Sequence, residues 1–246
     1  MLQKLYSIGI IPARYASTRF PGKPLVEIHG KTMVQRVYEQ VIQANLDEVI
    51  VATDDQRIYD HVLSFGGRVE MTSTDHPTGT DRCIELAKRY DTNAILINIQ
   101  GDEPFINPIQ INELLQVFHE NTEINIATQC KQIENNALIF DPNAIKVVRD
   151  QNNFALYFSR SPLPYLRNVP TEEWSLQNKH FKHIGIYAFR NETLAKLSSL
   201  PMGILETAES LEQLRWMEHG FKIYVAETQY ETFGIDVPED LKRIVL

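Results

Sequence analysis

Apolar residues occur along the chain in short continuous runs, separated by stretches in which they recur every three or four positions. The runs Ile8–Ile11, Val49–Thr53 and Ile95–Ile99 are almost entirely apolar, as expected of parallel strands that are covered on both faces. From Thr32 to Ala44 the apolar residues follow a helical period instead. This alternation predicts an α/β fold with a mostly parallel sheet and helices on both faces.

The same patterns predict the elements of the remaining chain. The further predicted strands are Arg68–Met71, Ile124–Thr128, Phe181–Phe189 and Lys222–Ala226. The further predicted helices are one that ends at Gly66, then Ile109–His119, Asn191–Ser199, Ala208–His219 and a last helix introduced by Gly234–Asp240.

The pattern changes after residue 140. Ala144–Arg149 and Phe154–Arg160 flank the polar turn Asp150–Asn153, which predicts a β-hairpin. Ser161–Pro170 contains three prolines and is expected to be an extended loop. We therefore expect a single domain over residues 1–246, with a β-rich lobe inserted at about 140–190.

The loop after the first strand is the strongest candidate for a binding site. Residues 12–24 hold three cations, Arg14, Arg19 and Lys23, together with Ser17 and Thr18. Cations, hydroxyls and free backbone N–H groups between a strand and a helix are the groups that bind a polyphosphate. Neither the GxxxxGK[ST] nor the GxGxxG pattern is present. On spacing alone, a solvated basic loop is the alternative.

The overall composition excludes several classes of partner. A net charge of −8 is unsuited to a nucleic-acid duplex or an anionic membrane as the main partner. No stretch reaches transmembrane length, and the first residues lack the long apolar run of a secretion signal. Cys83 and Cys130 lie far apart, which argues against a disulfide framework or a zinc site. We therefore expect a cytoplasmic protein.

Two aspartates in glycine-containing loops are candidate metal ligands. Asp102 follows a predicted buried strand in the segment Gln100–Pro104, and Asp236 follows Gly234. Carboxylates in such loops can hold Mg²⁺ against phosphate oxygens, and ligands of open parallel sheets bind beyond the carboxyl ends of the strands. Taken singly, either aspartate is more commonly a turn residue or a helix cap.

Residues 78–82, Thr-Gly-Thr-Asp-Arg, are a third candidate segment. The backbone of Gly79 can approach a base or ribose closely because glycine has no side chain, and Arg82 can contact a phosphate or carbonyl oxygen. The structural alternative is that Thr80 caps a helix beginning at Asp81. The two roles are compatible.

The loop sequence closely resembles a known signature. Residues 11–25, Ile-Pro-Ala-Arg-Tyr-Ala-Ser-Thr-Arg-Phe-Pro-Gly-Lys-Pro-Leu, resemble that of the 3-deoxy-D-manno-octulosonate (Kdo) cytidylyltransferases, the CMP-Kdo synthetase family. Sialic-acid cytidylyltransferases share Pro-Ala-Arg but typically continue Gly-Gly-Ser-Lys. Further resembling blocks cover nearly the whole chain, at residues 51–54, 79–82, 98–104, 155–160, 183–187, 211–215 and 236–240. The resemblance implies a Rossmann-like sheet of the nucleotide-diphospho-sugar transferase type.

The resemblance also implies an activity, namely transfer of CMP from CTP to the anomeric hydroxyl of Kdo with release of pyrophosphate. The implied cofactor is Mg²⁺, held by Asp102 and Asp236. The implied catalytic residues are Arg14, Lys23, Asp102 and Asp236. The implied CTP contacts are Arg14, Ser17, Arg19, Lys23, Thr78, Gly79 and Arg82.

Kdo is an acid, so its site needs a cation. Arg160 ends a predicted strand and can bind a carboxylate bidentately. His183 and Tyr187 lie four residues apart on one predicted strand and therefore share a face. Without the resemblance, a structural histidine would be the commoner reading of His183. The implied Kdo contacts are Arg19, Gln100, Arg160, His183, Tyr187, Glu212 and Gln213.

The resembling family is commonly homodimeric, with the β-rich lobe at the interface, and its product is used in lipopolysaccharide assembly. A lid over the sugar site is the alternative role for the lobe. Two other functions stay open. One is a cytidylyltransferase for a related acid such as 8-amino-Kdo. The other is a non-catalytic nucleotide-binding protein. Such a protein would be expected to lack Lys23, Asp102 or Asp236, and all three residues are present.

Overall fold

A mixed, mostly parallel β-sheet forms the centre of the computed structural model, which describes residues 5–16, 20–76, 78–231 and 233–243. The strands are β1 (Ser7–Ala13), β2 (Glu27–Ile28), β3 (Lys31–Thr32), β4 (Glu48–Thr53), β5 (Val69–Met71), β6 (Ile95–Asn98), β7 (Ile126–Gln132), β8 (Lys146–Arg149), β9 (Ala155–Ser159), β10 (Phe181–Arg190) and β11 (Tyr224–Glu227). The α-helices are α1 (Met33–Val41), α2 (Gln56–Ser64), α3 (Gly79–Ala87), α4 (Pro108–Glu120), α5 (Asn136–Phe140), α6 (Asn191–Leu197), α7 (Ile204–Glu209) and α8 (Glu212–Glu218). Short 3₁₀ helices cover Lys23–Leu25, Thr171–Gln177 and Pro238–Arg243.

The strand order in the main sheet is β11-β7-β10-β6-β1-β4-β5. Strand β1 pairs in parallel with β4 on one side and β6 on the other. Strand β10 runs antiparallel to both β6 and β7, and this is the one reversal on that path of described strands. The predicted mostly parallel α/β fold is therefore confirmed. The carboxyl ends of β1, β4 and β6 lie at the same edge of the sheet.

Helices cover both faces of the sheet. Because alternate residues of each strand point to opposite faces, each strand contributes side chains to two separate cores. Ile8 and Ile10 of β1 pack into one core, to which α3, α6 and α8 contribute Leu86, Leu194 and Leu214. On the other face, Ile11 joins a second core. That core takes Val34 and Val37 from α1, Ile58 and Val62 from α2, and Leu114 and Phe118 from α4. Burial on both faces explains the continuous apolar runs.

The predicted hairpin after residue 140 is present. Strands β8 and β9 are antiparallel, with Val147 opposite Phe158, and Asn153 in the connecting turn has a φ of 63°. Strand β8 also pairs with the start of β10, at Phe181 and Lys182. The hairpin therefore extends the sheet beyond the core strands.

One predicted helix is wrong. The apolar pattern over Ala208–His219 indicates one helix, but the chain forms α7 and α8 with a break at Ser210. Ser210 adopts a left-handed conformation with a φ of 53°, which ends a helix. The short helix α5 was not predicted. After Asp236 the described chain forms the 3₁₀ helix Pro238–Arg243.

Both cysteines, Cys83 and Cys130, are buried and unpaired. Burial raises the pKa of Cys130 to about 12 and raises that of Cys83 as well. Within the described part of the chain, no helix combines the length and apolar character needed to cross a membrane.

Candidate active site

A crevice of about 200 Å³ opens at the carboxyl ends of β1 and β6. It is lined by Pro12, Ala13, Arg14, Lys23, Pro24, Gly79, Arg82, Gln100, Gly101, Asp102 and Asp236. Seven residues predicted for the site thus meet in one place, from four separate segments of the chain. Two predicted CTP contacts, Ser17 and Arg19, lie outside the described residues.

The opening loop brings Lys23 into the crevice through a tight turn. The Gly22 N–H donates to Tyr15 O at 2.9 Å, and Gly22 has a φ of 72°, a conformation that favours glycine. Lys23 follows as the first residue of the 3₁₀ helix, with Pro24 next to it. The side chain of Lys23 is 14% exposed, so its charge is held at the crevice and not in bulk solvent.

Lys23 lies between the two candidate metal ligands. Its ammonium is 2.7 Å from Asp102 Oδ2 and 3.6 Å from Asp236 Oδ1. The Ile235 N–H donates to Asp102 O at 2.9 Å, and Ile235 is fully buried against Ile28 and Met33. This backbone bond and this packing hold the Asp236 loop against the Asp102 loop.

The two carboxylates fit the chemistry of Mg²⁺. Magnesium is typically held by one or two protein carboxylates, with phosphate oxygens and water as the other ligands. Asp102 and Asp236 both reach the same ammonium group, so their oxygens converge on one small region. Among the described residues no cluster of three or more histidine, cysteine, aspartate or glutamate side chains could hold a metal alone.

Gly101 is required for the close approach of two strand ends. A Cβ atom at this position would lie 2.6 Å from Pro12 O, which is shorter than any acceptable contact. The loop that carries Asp102 can therefore lie directly against the end of β1 only with glycine at this position.

Helix α3 begins beside the crevice, one residue after its cap. Thr78 accepts from the Asp81 N–H at 3.1 Å, and Asp81 accepts in return from the Thr78 N–H at 3.2 Å, which forms a capping box. The alternative in which Thr80 caps a helix starting at Asp81 is therefore wrong. Thr78 is the cap, and it is not among the lining residues.

Arg82 lines the crevice from the first turn of α3 but is already well coordinated. Its guanidinium forms an ion pair with Asp54 and donates to Thr72 Oγ1 at 2.8 Å and to Ser73 O at 3.1 Å. Only 2% of the residue is exposed. These contacts fix the guanidinium, and its predicted contact with CTP stays a prediction.

A cluster of polar side chains lies next to the crevice, around Thr80, the residue that follows Gly79. Thr80 Oγ1 donates to Glu212 Oε2 at 2.9 Å and accepts from Asn98 Nδ2 at 3.4 Å. Burial raises the pKa of Glu212, an effect that the Thr80 hydroxyl and the Arg215 guanidinium partly offset. Two buried atoms of the cluster, Asn98 Oδ1 and Gln213 Nε2, have no hydrogen-bond partner within the described structure. Such atoms call for a polar ligand or water.

His183 and Tyr187 lie at this cluster on β10. A β-bulge between Ile184 and Tyr187 shifts the register, yet the two rings still contact, with centroids 5.3 Å apart. His183 Nε2 is 2.9 Å from Thr128 Oγ1. Burial, assisted by Lys182, lowers the pKa of His183 to about 3. This histidine is therefore neutral at physiological pH and can act only as a hydrogen-bonding group.

Arg160 follows the end of β9 and is not among the residues that line the crevice. Its Nε donates to Glu209 O at 2.7 Å and its Nη1 to Pro142 O at 2.9 Å. Both acceptors are neutral carbonyls. Within the described part of the chain, no carboxylate forms an ion pair with the Arg160 guanidinium, and the two carbonyls hold it in a fixed orientation.

The sequence did not predict several residues that shape the crevice and the polar cluster. Thr80 and Asn98 connect Glu212 to β6, and Asp54 orients Arg82. Asn98 had a usable signal, because it is a polar residue inside the buried run Ile95–Ile99. Glu209 had none, since a glutamate on a short polar helix usually faces solvent.

Comparison with known proteins first defines the class. The fold is shared with a 4-diphosphocytidyl-2C-methyl-D-erythritol synthase from Anaerococcus prevotii, with a TM-score of 0.63 at 14% identity. A profile of the Cytidylyltransferase family matches residues 8–227. The chain belongs to this cytidylyltransferase family.

Closer relatives carry a particular name. A 3-deoxy-manno-octulosonate cytidylyltransferase from Parabacteroides distasonis is 52% identical over 245 residues, which cover 96% of this chain and 95% of the relative. One from Bacteroides thetaiotaomicron is 52% identical over 240 residues, with 96% and 95% covered. A solved CMP:2-keto-3-deoxy-manno-octonic acid synthetase complexed with CTP has a TM-score of 0.90 at 44% identity, over 97% of this chain and 96% of that one.

Proposed function

We propose that this chain is a nucleotidyltransferase that transfers CMP from CTP to the anomeric hydroxyl of 3-deoxy-D-manno-octulosonate and releases pyrophosphate, the step that activates Kdo for lipopolysaccharide synthesis. The observation that carries the proposal is the convergence of Lys23, Asp102 and Asp236 at the mouth of the crevice, with distances of 2.7 and 3.6 Å. Similarity over nearly the full length to proteins of that name supports the same activity.

The triphosphate lies in the crevice in this proposal. Arg14 and Lys23 line it and would offset the phosphate charges. Arg82, which is already paired with Asp54, is proposed to add a further contact with CTP. Ser17 and Arg19 are proposed to add contacts from the same loop, and Thr78 and Gly79 from the start of α3. Gly79 presents backbone without a side chain, which suits contact with the base or ribose.

Magnesium is the proposed cofactor, and when bound it would offset negative charge between the phosphate oxygens and the attacking hydroxyl. Asp102 and Asp236 would hold it. Their positions relative to Lys23 support this role, because the ammonium already occupies the region where both carboxylates point. Once a nucleotide is bound, Lys23 is proposed to turn toward its phosphates.

The acceptor sugar is proposed to bind at the polar cluster. Arg160 is suited to the carboxylate, since its cation has no ion-pair partner among the described residues. Neutral His183, Tyr187, Glu212 and Gln213 would bind hydroxyls, together with Gln100 from the crevice and Arg19 from the loop. The unpartnered Asn98 Oδ1 and Gln213 Nε2 support a site for a ligand with many hydroxyls.

The chemistry is then a single displacement. The anomeric oxygen of the sugar forms a bond to the α-phosphorus, the bond from that phosphorus to the bridging oxygen breaks, and pyrophosphate leaves as the hydroxyl proton is lost. The protein contributes chiefly positioning and charge stabilisation. His183 is neutral and hydrogen-bonded to Thr128, and both cysteines are buried with raised pKa values. These groups are unsuited to act as nucleophiles.

The proposal extends to the assembly and location of the protein. We expect the chain to act as one domain in a cytoplasmic homodimer, with the β8–β9 lobe at the interface. Among the described strands β9 pairs only with β8; on its other side the Ala155 N–H, at the start of the strand, donates to Ile223 O at 2.8 Å. Leu156, the next residue, is 61% exposed. An open strand edge with an exposed leucine is a surface that another subunit can cover.

A pyrophosphate-release assay with CTP, Mg²⁺ and a panel of acidic sugars tests the function. We expect turnover with Kdo and none when CTP is replaced by UTP or the acceptor is omitted. Preference for 8-amino-Kdo or another ulosonate would reassign the substrate. Tight CTP binding without turnover on any acid would indicate a non-catalytic nucleotide-binding protein.

A further inference from the structure

Helix α7 is too short to be stable by itself, because six residues close only a few backbone hydrogen bonds. Polar side chains hold it at both ends. At its start, Glu218 accepts from the N–H groups of Ile204 and Leu205, each at 3.1 Å. At its end, Glu209 accepts from neighbouring groups of β9. The helix therefore depends on elements that surround it.

Glu209 makes three hydrogen bonds to the end of β9. Its Oε1 accepts from Ser159 Oγ at 2.6 Å, its Oε2 accepts from the Arg160 N–H at 2.9 Å, and its carbonyl oxygen accepts from Arg160 Nε at 2.7 Å. The last bond sets the direction of the Arg160 guanidinium. The first two hold the strand end from which that side chain extends.

The other half of α7 is joined to α8. Glu206, one turn before Glu209, forms an ion pair with Arg215 of α8 at 2.7 Å. Arg215 also lies 3.8 Å from Glu212, and only Ser210 and Leu211 separate Glu209 from Glu212. Helix α7 thus connects Arg160 to the first turn of α8, which carries Glu212 and Gln213.

We infer that Glu209 is a positioning residue for the acceptor sugar. It fixes the Arg160 guanidinium relative to Glu212 and Gln213, so that one site can hold the carboxylate and the hydroxyls of the same molecule. This inference rests on the proposed function, because it takes Arg160 as the carboxylate-binding group. It further implies that α7 sets the distance between Arg160, which binds the carboxylate, and Glu212 and Gln213, which bind the hydroxyls, although Glu209 itself does not contact the substrate.

Glu209→Gln is the first test. The variant keeps the size of the side chain but removes its negative charge, so the hydrogen bond from the Arg160 N–H becomes a neutral one and the new NH₂ group can only donate to Ser159 Oγ. The carbonyl oxygen of residue 209, which accepts from Arg160 Nε, stays in place. We expect the KM for Kdo to rise about tenfold, which is the effect of losing roughly one charge-assisted hydrogen bond. The KM for CTP is expected to stay within twofold of the wild type.

Glu218→Gln is the matched control. It removes the carboxylate that caps the opposite end of α7. Glu218 itself is the last residue of α8, is exposed and belongs to no part of the proposed site. If Glu209 acts only by stabilising α7, both variants should change the melting temperature and the KM for Kdo alike. A selective effect of E209Q on the KM for Kdo supports positioning.

A double-mutant cycle with Arg160→Ala gives a readout that a purely structural role would not change. If Glu209 acts through Arg160, E209Q should alter the KM for Kdo less than twofold in the R160A background. Additive effects, or an equal rise in the KM for CTP, would overturn the inference. Should E209Q not fold, Ser159→Ala removes the partner of Oε1 and leaves the charge in place. It should raise the KM for Kdo two- to threefold, and no change would count against the inference.

The wild-type assay separates the two proposals. Absence of pyrophosphate release by the wild-type chain with CTP, Mg²⁺ and Kdo would overturn the proposed function and the inference that rests on it. An active wild type with an unchanged E209Q variant would overturn the inference alone.

Discussion

Asp102 illustrates how a side chain with a proposed catalytic role can contribute little to the fold. Its carboxylate is 29% exposed and contacts the Lys23 ammonium at 2.7 Å, and an ion pair that stays partly solvated contributes only modestly to stability. The same oxygen is placed where a metal bound to phosphate would need it. Under the proposed function, the charge at this position serves the reaction and not the folded state.

We expect Asp102→Asn to reduce turnover at least a thousandfold and to leave the melting temperature within a few degrees of the wild type. The assay is pyrophosphate release across a Mg²⁺ titration, combined with thermal denaturation. Asp55→Asn is the control, because it also neutralises an aspartate just after a strand. Asp55 caps α2, and asparagine caps equally well, so turnover should be unchanged. Near wild-type activity of D102N at saturating Mg²⁺ would rule out the metal role.

His183 should make stability depend on pH. Its pKa in the folded protein is about 3, below the ordinary value near 6.5 for an unfolded chain. Between these values the unfolded chain binds a proton that the folded protein does not. The free energy of unfolding therefore falls as the pH drops below about 6.5, by up to about 1.4 kcal/mol per pH unit.

Urea denaturation of the wild type and His183→Asn from pH 8 to pH 4.5 measures this effect. At pH 8 the histidine is neutral in both states, so any difference there reports lost packing alone. We expect the two curves to converge as the pH falls, because the variant lacks the proton-linked loss. A constant difference across the range would contradict a depressed pKa at His183.

At the scale of elements, the site depends on how closely β1 and the loop after β6 approach each other. The contact is backbone against backbone, at Pro12 and Gly101. Because main-chain atoms cannot rotate out of the way as a side chain can, the spacing of the two strand ends is fixed by the absence of a Cβ at residue 101.

We expect Gly101→Ala to cost about 1–3 kcal/mol of unfolding free energy, as overpacking does, and to lower kcat/KM for CTP because Asp102 moves with the loop. Gly185→Ala is the control, since a Cβ there would meet no atom within 4 Å. Chemical denaturation and steady-state kinetics of both variants suffice. If G101A matched G185A in both measurements, close approach at Gly101 would not be limiting.

Elements that are buried on both faces could be predicted from the sequence, and those set by distant contacts could not. The strands β1 and β6 follow from their apolar runs. The antiparallel direction of β10 does not, because an apolar strand reads the same in either direction. The break at Ser210 depends on polar contacts of α7 with β9 and α8, which no local pattern reveals.

The same limit applies to the candidate site. Lys23, Asp102 and Asp236 could be selected because each stands in a segment that resembles a block of the cytidylyltransferase family, whereas either aspartate taken singly is more commonly a turn residue or a helix cap. Their distances could not be predicted, since these depend on the bond between Ile235 and Asp102. Asn98 and Thr80 are polar residues among buried neighbours, and their role becomes visible only when β6, α3 and α8 are placed together.

For the whole molecule, the surface around β9 bears on how subunits assemble. Among the described strands β9 pairs only with β8, apart from the Ala155 N–H at its start, which donates to Ile223 O at 2.8 Å, and Leu156 on this strand is 61% exposed. The net charge of −8 opposes non-specific association of chains. Apolar exposure of this kind is covered most simply by a second copy of the chain, in an interface with two-fold symmetry.

Leu156→Glu tests this arrangement, because each change at a two-fold interface counts twice. Losing the burial of a leucine costs about 2 kcal/mol per subunit, so the dissociation constant should rise about a thousandfold. Sedimentation velocity from nanomolar to micromolar concentration should then show a dimeric wild type and a monomeric variant. Ile42→Glu alters a side chain of similar exposure, 52%, next to α1 and away from the lobe, and should stay dimeric. A monomeric wild type, or a dimeric L156E variant, would show that β9 does not form the interface and would favour the lid as the role of the lobe.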